Sequence, residues 1–238
     1  MIEIGLNDSR IDDYRNLRFT PAGHTRQAIF VAEGEKTVRR LLRSSVEVVS
    51  VLAQREFYEK CTGEISKKGI PTDSCFVADK AVLESIVGYR LHQGILAIGH
   101  RLPETPIGDM SGRVLVLDRV IDAENVGAII RTAVAFGIDS FVLDRPSAHP
   151  FLRRAVRVSL GACFSIKYCI CDSLTEAAKK LKSNGCALIA AEQDEESVSV
   201  YSFRFPPRFA LIMGSEGYGV ARELLENCDS IVELPVSD

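Results

Sequence analysis

Between residues 28 and 100, short apolar runs alternate with segments whose apolar positions recur every three or four residues. "AIFVAE" (28–33), "VEVVSVLA" (46–53), "DSCFVA" (73–78) and "GILAIGH" (94–100) read as strands. "EGEKTVRRLLRS", the stretch near "REFYEKC" and the segment from Asp79 carry the helical period. The polar opening, "MIEIGLNDSRIDDYRNLRFT", is read as a helical start. "RLPETPIGDMSGR" then breaks the pattern with two prolines and two glycines, which marks a linker near 101–112.

Beyond it the alternation restarts. "RVLVLD" (113–118), "SFVLD" (140–144), "FSIKYCI" (164–170), "CALIAA" (186–191), "FALIMG" (209–214) and "SIVELP" (230–235) predict strands. Helical patterns fall at 126–136, 150–160, 173–184 and roughly 218–226. Strands that are apolar throughout and separated by helices imply a parallel sheet covered on both faces. The pattern predicts two α/β domains, residues 1–108 and 109–238.

Charge narrows the partners. The formal net charge is −3, with 29 Lys+Arg against 32 Asp+Glu, so a nucleic-acid surface must be a local patch. Seven cysteines in core-like segments lack zinc spacing and read as reduced and buried. The N-terminus lacks the long apolar stretch of a signal peptide. No apolar run approaches a membrane span. The expectation is a cytoplasmic chain that holds no metal. His24, His92, His100 and His149 form no constellation.

One helical segment departs from a bland amphipathic pattern. In "ENVGAIIRTAVAFG" (124–137), Val126, Ile129, Ile130, Ala133 and Val134 make one buried face. Gly127, however, costs a helix on the order of 1 kcal/mol relative to alanine, and Arg131 lies off the apolar stripe. Asn125 is suited to an N-cap.

Ligands of open α/β sheets bind beyond the carboxyl ends of the strands. Two segments follow strands in that way, "LDRVIDAENVGAIIR" and "IMGSEGYGVARE". Gly214, Gly217 and Gly219 run in the reverse order of the dinucleotide fingerprint, and "GEKT" (34–37) lacks the P-loop lysine. A nicotinamide oxidoreductase is therefore disfavoured. On spacing alone, the three glycines fit either close approach of backbone to a ligand or a tight turn with a solvated Glu216.

Taken together, Asn125, Gly127 and Arg131 after one strand, and "IMGSEGYG" after another, resemble the SpoU/TrmH branch of the SPOUT superfamily of RNA 2′-O-ribose methyltransferases. "RRAVRVSLGACFSI" (153–166) is similar to the segment between those two motifs. "FVAEGEKTVRRLL" and "VLESIVGYRLHQGILAI" are similar to the L30-like substrate-binding domain that many members carry in front, here from about residue 24.

The resemblance implies a trefoil-knotted SPOUT domain at 109–238, a bent S-adenosylmethionine as cofactor, a homodimer, and structured rRNA or tRNA as substrate. It assigns Arg131 to the ribose 2′-hydroxyl, Asn125 to the reacting nucleotide and Glu216 to orienting them, with a Glu216–Arg131 ion pair as one arrangement. Gly214 and Leu234, with Ser215, Gly217 and Gly219, are assigned to the cofactor. Gly127 is assigned to leaving room for RNA or a partner subunit. Arg153, Arg154 and Arg157, and Arg39, Arg40 and Arg43, fall at i, i+1 and i+4 and are candidates for phosphate contacts; a solvated helical face is the alternative for the second group. The family's third motif is not found before Asp238. On that reading these 238 residues leave the knot incomplete and bind the cofactor weakly. A non-catalytic RNA-binding protein on the same fold is the competing function.

Overall fold

The computed structural model describes residues 1–235; residues 236–238, the last three of the expected C-terminal domain, lie outside the described residues. The chain divides into two compact units, Met1–Leu102 with Pro150–Ser165, and Pro103–His149 with Ile166–Asp238.

The first unit is built on a five-stranded mixed sheet. Its strands are β1 (Ile2–Glu3), β2 (Ile29–Glu33), β3 (Val48–Ala53), β4 (Cys75–Val77) and β5 (Ile95–His100), in the order β1-β4-β3-β5-β2. β5 runs antiparallel to both its neighbours, and the other pairs are parallel. Helices α1 (Ala22–Arg26), α2 (Glu35–Arg43), α3 (Arg55–Lys68) and α4 (Lys80–Val87) connect them. β2 is buried along its whole length, which is why its sequence does not alternate.

The N-terminus is helical only in part, over Ser9–Tyr14, and as a 3-10 helix behind a short edge strand. Ile2–Glu3 pair in parallel with β4, and Ser9–Tyr14 form a tight 3-10 turn capped by the Asp8 carboxylate. This conformation carries Ile4, Ile11, Tyr14 and Leu17 into the core and gives β4 a neighbour on its open edge. The fully buried Tyr14 hydroxyl lies 2.9 Å from Ser50 Oγ.

Residues 150–165, read from the sequence as part of the second domain, belong to the first compact unit. Phe151 and Phe164 place their rings 5.0 and 5.4 Å from that of Phe30. Within this segment the expected helix shortens to α6 (Arg153–Val158).

The second unit carries seven parallel strands. They are β6 (Arg113–Asp118), β7 (Ser140–Asp144), β8 (Lys167–Cys171), β9 (Ala187–Ala191), β10 (Val198–Ser199), β11 (Phe209–Gly214) and β12 (Ser230–Glu233), in the order β10-β12-β9-β11-β6-β7-β8. Helices α5 (Ala123–Ala135), α7 (Leu174–Ser183) and α8 (Arg222–Leu225) connect them. Leu174, Ala177, Ala178 and Leu181 of α7 pack with Leu224 of α8 on Val114, Val116, Val142, Ala210 and Ile212. β8 starts later than expected because Ala162–Ser165 form a 3-10 turn.

β6 and β11 are neighbours, with Asp118 opposite Gly214 at their carboxyl ends. From β6 the chain crosses to β7 on one side; from β11 it crosses to β12 on the other. That divergence is the topological switch point at which open α/β sheets hold ligands.

Candidate active site

A cavity of about 500 Å³ opens at this switch point. The loop after β6 supplies Arg119, Val120, Ile121, Asp122 and Asn125, and the loop after β11 supplies Ser215, Glu216, Gly217 and Tyr218. Its size suits a nucleoside-sized ligand.

The β6 loop is held by two carboxylates. Arg119 has a left-handed backbone, φ 54°, and its N–H reaches both oxygens of Asp144 at 3.1 Å. Ser147 donates its N–H and hydroxyl to the same carboxylate and accepts the Val120 N–H at 2.9 Å. The Arg119 guanidinium grips the buried Asp118 with Nε and Nη2 at 3.0 and 3.2 Å. That pairing raises the guanidinium above its ordinary pKa. Asp118 also accepts the Ala221 N–H at 2.7 Å, so one carboxylate ties the two loops together.

The glycines of the second loop have different tasks. A Cβ on Gly214 would fall 2.0 Å from the Gly219 carbonyl carbon, and one on Gly219 would fall 2.2 Å from Glu192 Oε2. Gly219 also sits at φ +62°, and its N–H closes the turn onto the Ser215 carbonyl at 2.9 Å. Glu192 accepts the Val220 N–H at 2.7 Å. Gly217 alone faces open space. Because residues 215–220 are drawn into this turn, the expected helix at 218–226 shrinks to Arg222–Leu225.

The expected N-cap is corrected. Asp122, with φ −81° and ψ 120°, caps α5 by accepting the Glu124 N–H at 2.7 Å. Asn125 thus lies within the first turn, exposed at the cavity. Gly127, assigned to leaving room for RNA or a partner, is buried on the α5 face that also buries Val126, Ile130 and Ala133.

Of the residues singled out in the sequence, Asn125, Ser215, Glu216 and Gly217 meet at the cavity. Gly214 and Gly219 form the turn behind it, and Leu234 lies 64% exposed just past β12. Arg131 is exposed on α5 and does not line the cavity; six residues beyond Asn125, it is about 9 Å further along the helix axis. Arg119, Ile121 and Tyr218 were not anticipated. Their loops were visible in the sequence, but the carboxylates that set Arg119 come from Asp144, on the neighbouring strand, and Asp118.

In the first unit the arginine groups separate. Arg153 donates to Glu33 at 2.6 Å and to the Tyr89 hydroxyl at 3.0 Å, and lies over the Tyr89 ring at 4.6 Å. Arg39 bonds Glu35, Glu64 and the Lys60 carbonyl, and Arg43 shares Glu64. Arg40 and Arg154 are exposed. Arg157, also exposed, borders a hollow of about 180 Å³ with Lys36, Thr37, His92 and Gln93. Among the described residues, no group of three His, Cys, Asp or Glu side chains could hold a metal ion.

Comparison with known proteins places the fold. The model of the SpoU rRNA Methylase family matches residues 112–238. An uncharacterized tRNA/rRNA methyltransferase of Mycobacterium bovis is 30% identical over 243 residues, covering 97% of this chain and 82% of the relative. The 23S rRNA (guanosine-2′-O-)-methyltransferase RlmB of Neisseria meningitidis is 26% identical over 205 residues, 83% of this chain and 82% of its own. Among solved structures, an AdoMet-bound rRNA methyltransferase from Sinorhizobium meliloti superposes with a TM-score of 0.83 at 22% identity, covering 100% of this chain and 90% of that one.

Proposed function

Because the chain belongs to the SpoU rRNA methylase family, we propose that it transfers a methyl group from S-adenosylmethionine to a ribose 2′-oxygen of structured RNA. One observation supports this most directly. Asn125 and Glu216, far apart in sequence and each on a family-like motif, line one cavity at the switch point of a parallel sheet.

The residues present suit the cofactor. Gly217 leaves backbone open to a ligand, and Leu234 offers a bare apolar side chain two strands away from β11. In this reading Gly214, Ser215, Gly217, Gly219 and Leu234 hold S-adenosylmethionine, which supplies an electrophilic methyl group. The chain's own contribution is alignment. Asn125 positions the reacting nucleotide and Glu216 orients it. Arg131 binds the 2′-hydroxyl through its guanidinium and stabilises the oxyanion as charge develops. Arg157, Arg40 and Arg154 lead phosphate contacts.

The homodimer belongs to the same proposal. Ile129 and Thr132 of α5 and Phe136, its C-cap, border an apolar hollow of about 420 Å³ with Leu115, Leu211 and Met213, and Phe136 is 74% exposed. Such a face suits burial against a second copy. The cytoplasm is the proposed compartment; among the described residues no helix is long and apolar enough to cross a membrane.

The test is to incubate the full-length product of the gene with tritiated-methyl S-adenosylmethionine and total RNA from cells lacking the gene. Label recovered as 2′-O-methyl nucleoside, at a site that cells with the gene already carry methylated, is the expected result. Label on a base overturns the reaction. RNA binding without label leaves only the non-catalytic reading.

A further inference from the structure

Ile121 and Tyr218 face the same cavity from its two loops, yet both remain in water, 73% and 84% exposed. Single exposed apolar side chains need no explanation. This pair differs because the ring of Tyr218 is held from below by a fixed partner. The Arg119 guanidinium lies over it, 5.9 Å from the centroid. That guanidinium is itself immobilised by its fork onto buried Asp118, and its backbone by the bond to Asp144. Tyr218 is anchored at its own backbone too, its N–H reaching Ser215 Oγ at 3.2 Å. The result is an aromatic plate, set against a cation and otherwise open, with an aliphatic side chain on the opposing loop and the polar groups of Asn125 and Glu216 on the same cavity wall.

A flat, aromatic, hydrogen-bonding ligand fits that combination. Proteins that read single-stranded RNA hold splayed-out bases in this way, by stacking on aromatic side chains and arginine planes. We propose that Tyr218, set in place by Arg119, and Ile121 hold the nucleobase of the nucleotide that is methylated. The base enters against Tyr218, and its ribose is thereby presented to the Asn125 and Glu216 side of the cavity. The inference rests on reading this cavity as the site of methyl transfer. Of the residues assigned to S-adenosylmethionine, Ser215 and Gly217 line this cavity and Gly214, Gly219 and Leu234 do not, so base and cofactor would meet at the Ser215–Gly217 wall. Arg119 acts here as a positioning residue, because its charge is already met by Asp118.

The test uses an RNA fragment spanning the mapped methylation site. Tyr218→Ala raises KM for that fragment by about tenfold or more, the loss expected of one stacked base. Its affinity for S-adenosylmethionine, measured by calorimetry without RNA, stays at the wild-type value. Tyr218→Phe keeps the wild-type KM, and Tyr218→Leu, which retains bulk without a ring, behaves like the alanine variant. Arg119→Lys gives a smaller rise in KM than Tyr218→Ala, and adds no further rise in a Tyr218→Ala background. Because Tyr218 is so exposed, all its variants melt with the wild type. A wild-type KM in Tyr218→Ala overturns the inference, and so does a loss of cofactor affinity with RNA kinetics unmoved. In both cases labelled RNA from the wild-type protein leaves the methyltransferase reading intact; absence of label in the wild type overturns both.

Discussion

Gly214 and Gly219 meet backbone to backbone at the carboxyl end of β11, so closely that a Cβ on Gly214 would stand 2.1 Å from the Gly219 carbonyl oxygen and 2.3 Å from the Val220 nitrogen. Neither neighbour is a flexible side-chain end that could swing away. Gly214→Ala is therefore expected to force the 215–220 turn open, at a cost of about 1–3 kcal/mol as overpacking, and to lower cofactor affinity with it. Gly219→Ala combines a left-handed backbone with a clash on Glu192 and behaves likewise. Gly217→Ala has room and melts with the wild type. Thermal melts of the three variants separate the roles; equal melting of all three would contradict this division.

Asp118 holds the two loops of the cavity together, accepting from Arg119 on one and Ala221 on the other. Asp118→Asn keeps the shape and removes the charge that the guanidinium meets. The expected loss is about 2 kcal/mol, typical of hydrogen bonds to a charged group. Methyl transfer falls further than stability, since both loops shift. Denaturant midpoints and initial rates check this, and an unaltered midpoint counts against Asp118 as the tie.

How far the sequence foretold this arrangement depends on the kind of signal. β2, β6, β7 and β11 were legible because buried parallel strands read as unbroken apolar runs. The meeting of Asn125 with Glu216 was legible only through resemblance, since nothing in periodicity pairs β6 with β11. In residues 1–20 the helical expectation holds only for Ser9–Tyr14, and there as a 3-10 helix; the apolar positions Ile4, Ile11, Tyr14 and Leu17 reach the core from an edge strand and that helix, without the 3.6-residue period. The N-cap was placed at Asn125 when Asp122 was an equally good capping residue three positions earlier. Arg119 could not have been found, because its conformation is set by Asp144, 25 residues away, on the neighbouring strand.

The arginines that look alike in the sequence are expected to fail differently. Arg153→Ala breaks the pairing with Glu33, a carboxylate only 7% exposed, and strips the cation from Tyr89. Its loss shows as stability, on the order of 2–3 kcal/mol. Arg157→Ala and Arg40→Ala leave the melting temperature in place and weaken RNA binding. Each reduces the slope of log affinity against log salt by about one. Filter binding over a salt series, beside thermal melts, distinguishes the two patterns. An Arg157→Ala variant with the wild-type salt slope removes Arg157 from the RNA surface.

Arg131 sits exposed on α5, off the face formed by Val126, Ile130 and Ala133. Arg131→Ala is accordingly expected to fold and melt like the wild type. In the proposed mechanism it loses about 100-fold or more in kcat, as when one donor to a developing oxyanion is removed. Arg131→Lys restores charge but not the planar fork and recovers only part of the rate. Single-turnover rates on saturating RNA give the answer, and a folded Arg131→Ala protein working at the wild-type rate would sink the assignment.

All seven cysteines are free, and burial, the first cause for each, pushes every thiol upward from its ordinary value of 9.0. Cys163, fully buried, is pushed up to about 12, and Cys171 and Cys228 to about 11. Thiolate is the reactive form, so the native chain at pH 8 is expected to react slowly with a disulfide reagent, and all seven thiols promptly once unfolded. The sign of the pH effect on stability follows from the same shift. The native state holds its thiol protons more tightly, so this contribution is complete below about pH 9 and is lost as pH rises towards about 12. Urea midpoints should therefore fall between pH 8 and pH 10.5, and fall less in Cys163→Ala. A prompt reaction of several native thiols at pH 8 would show that burial does not protect them.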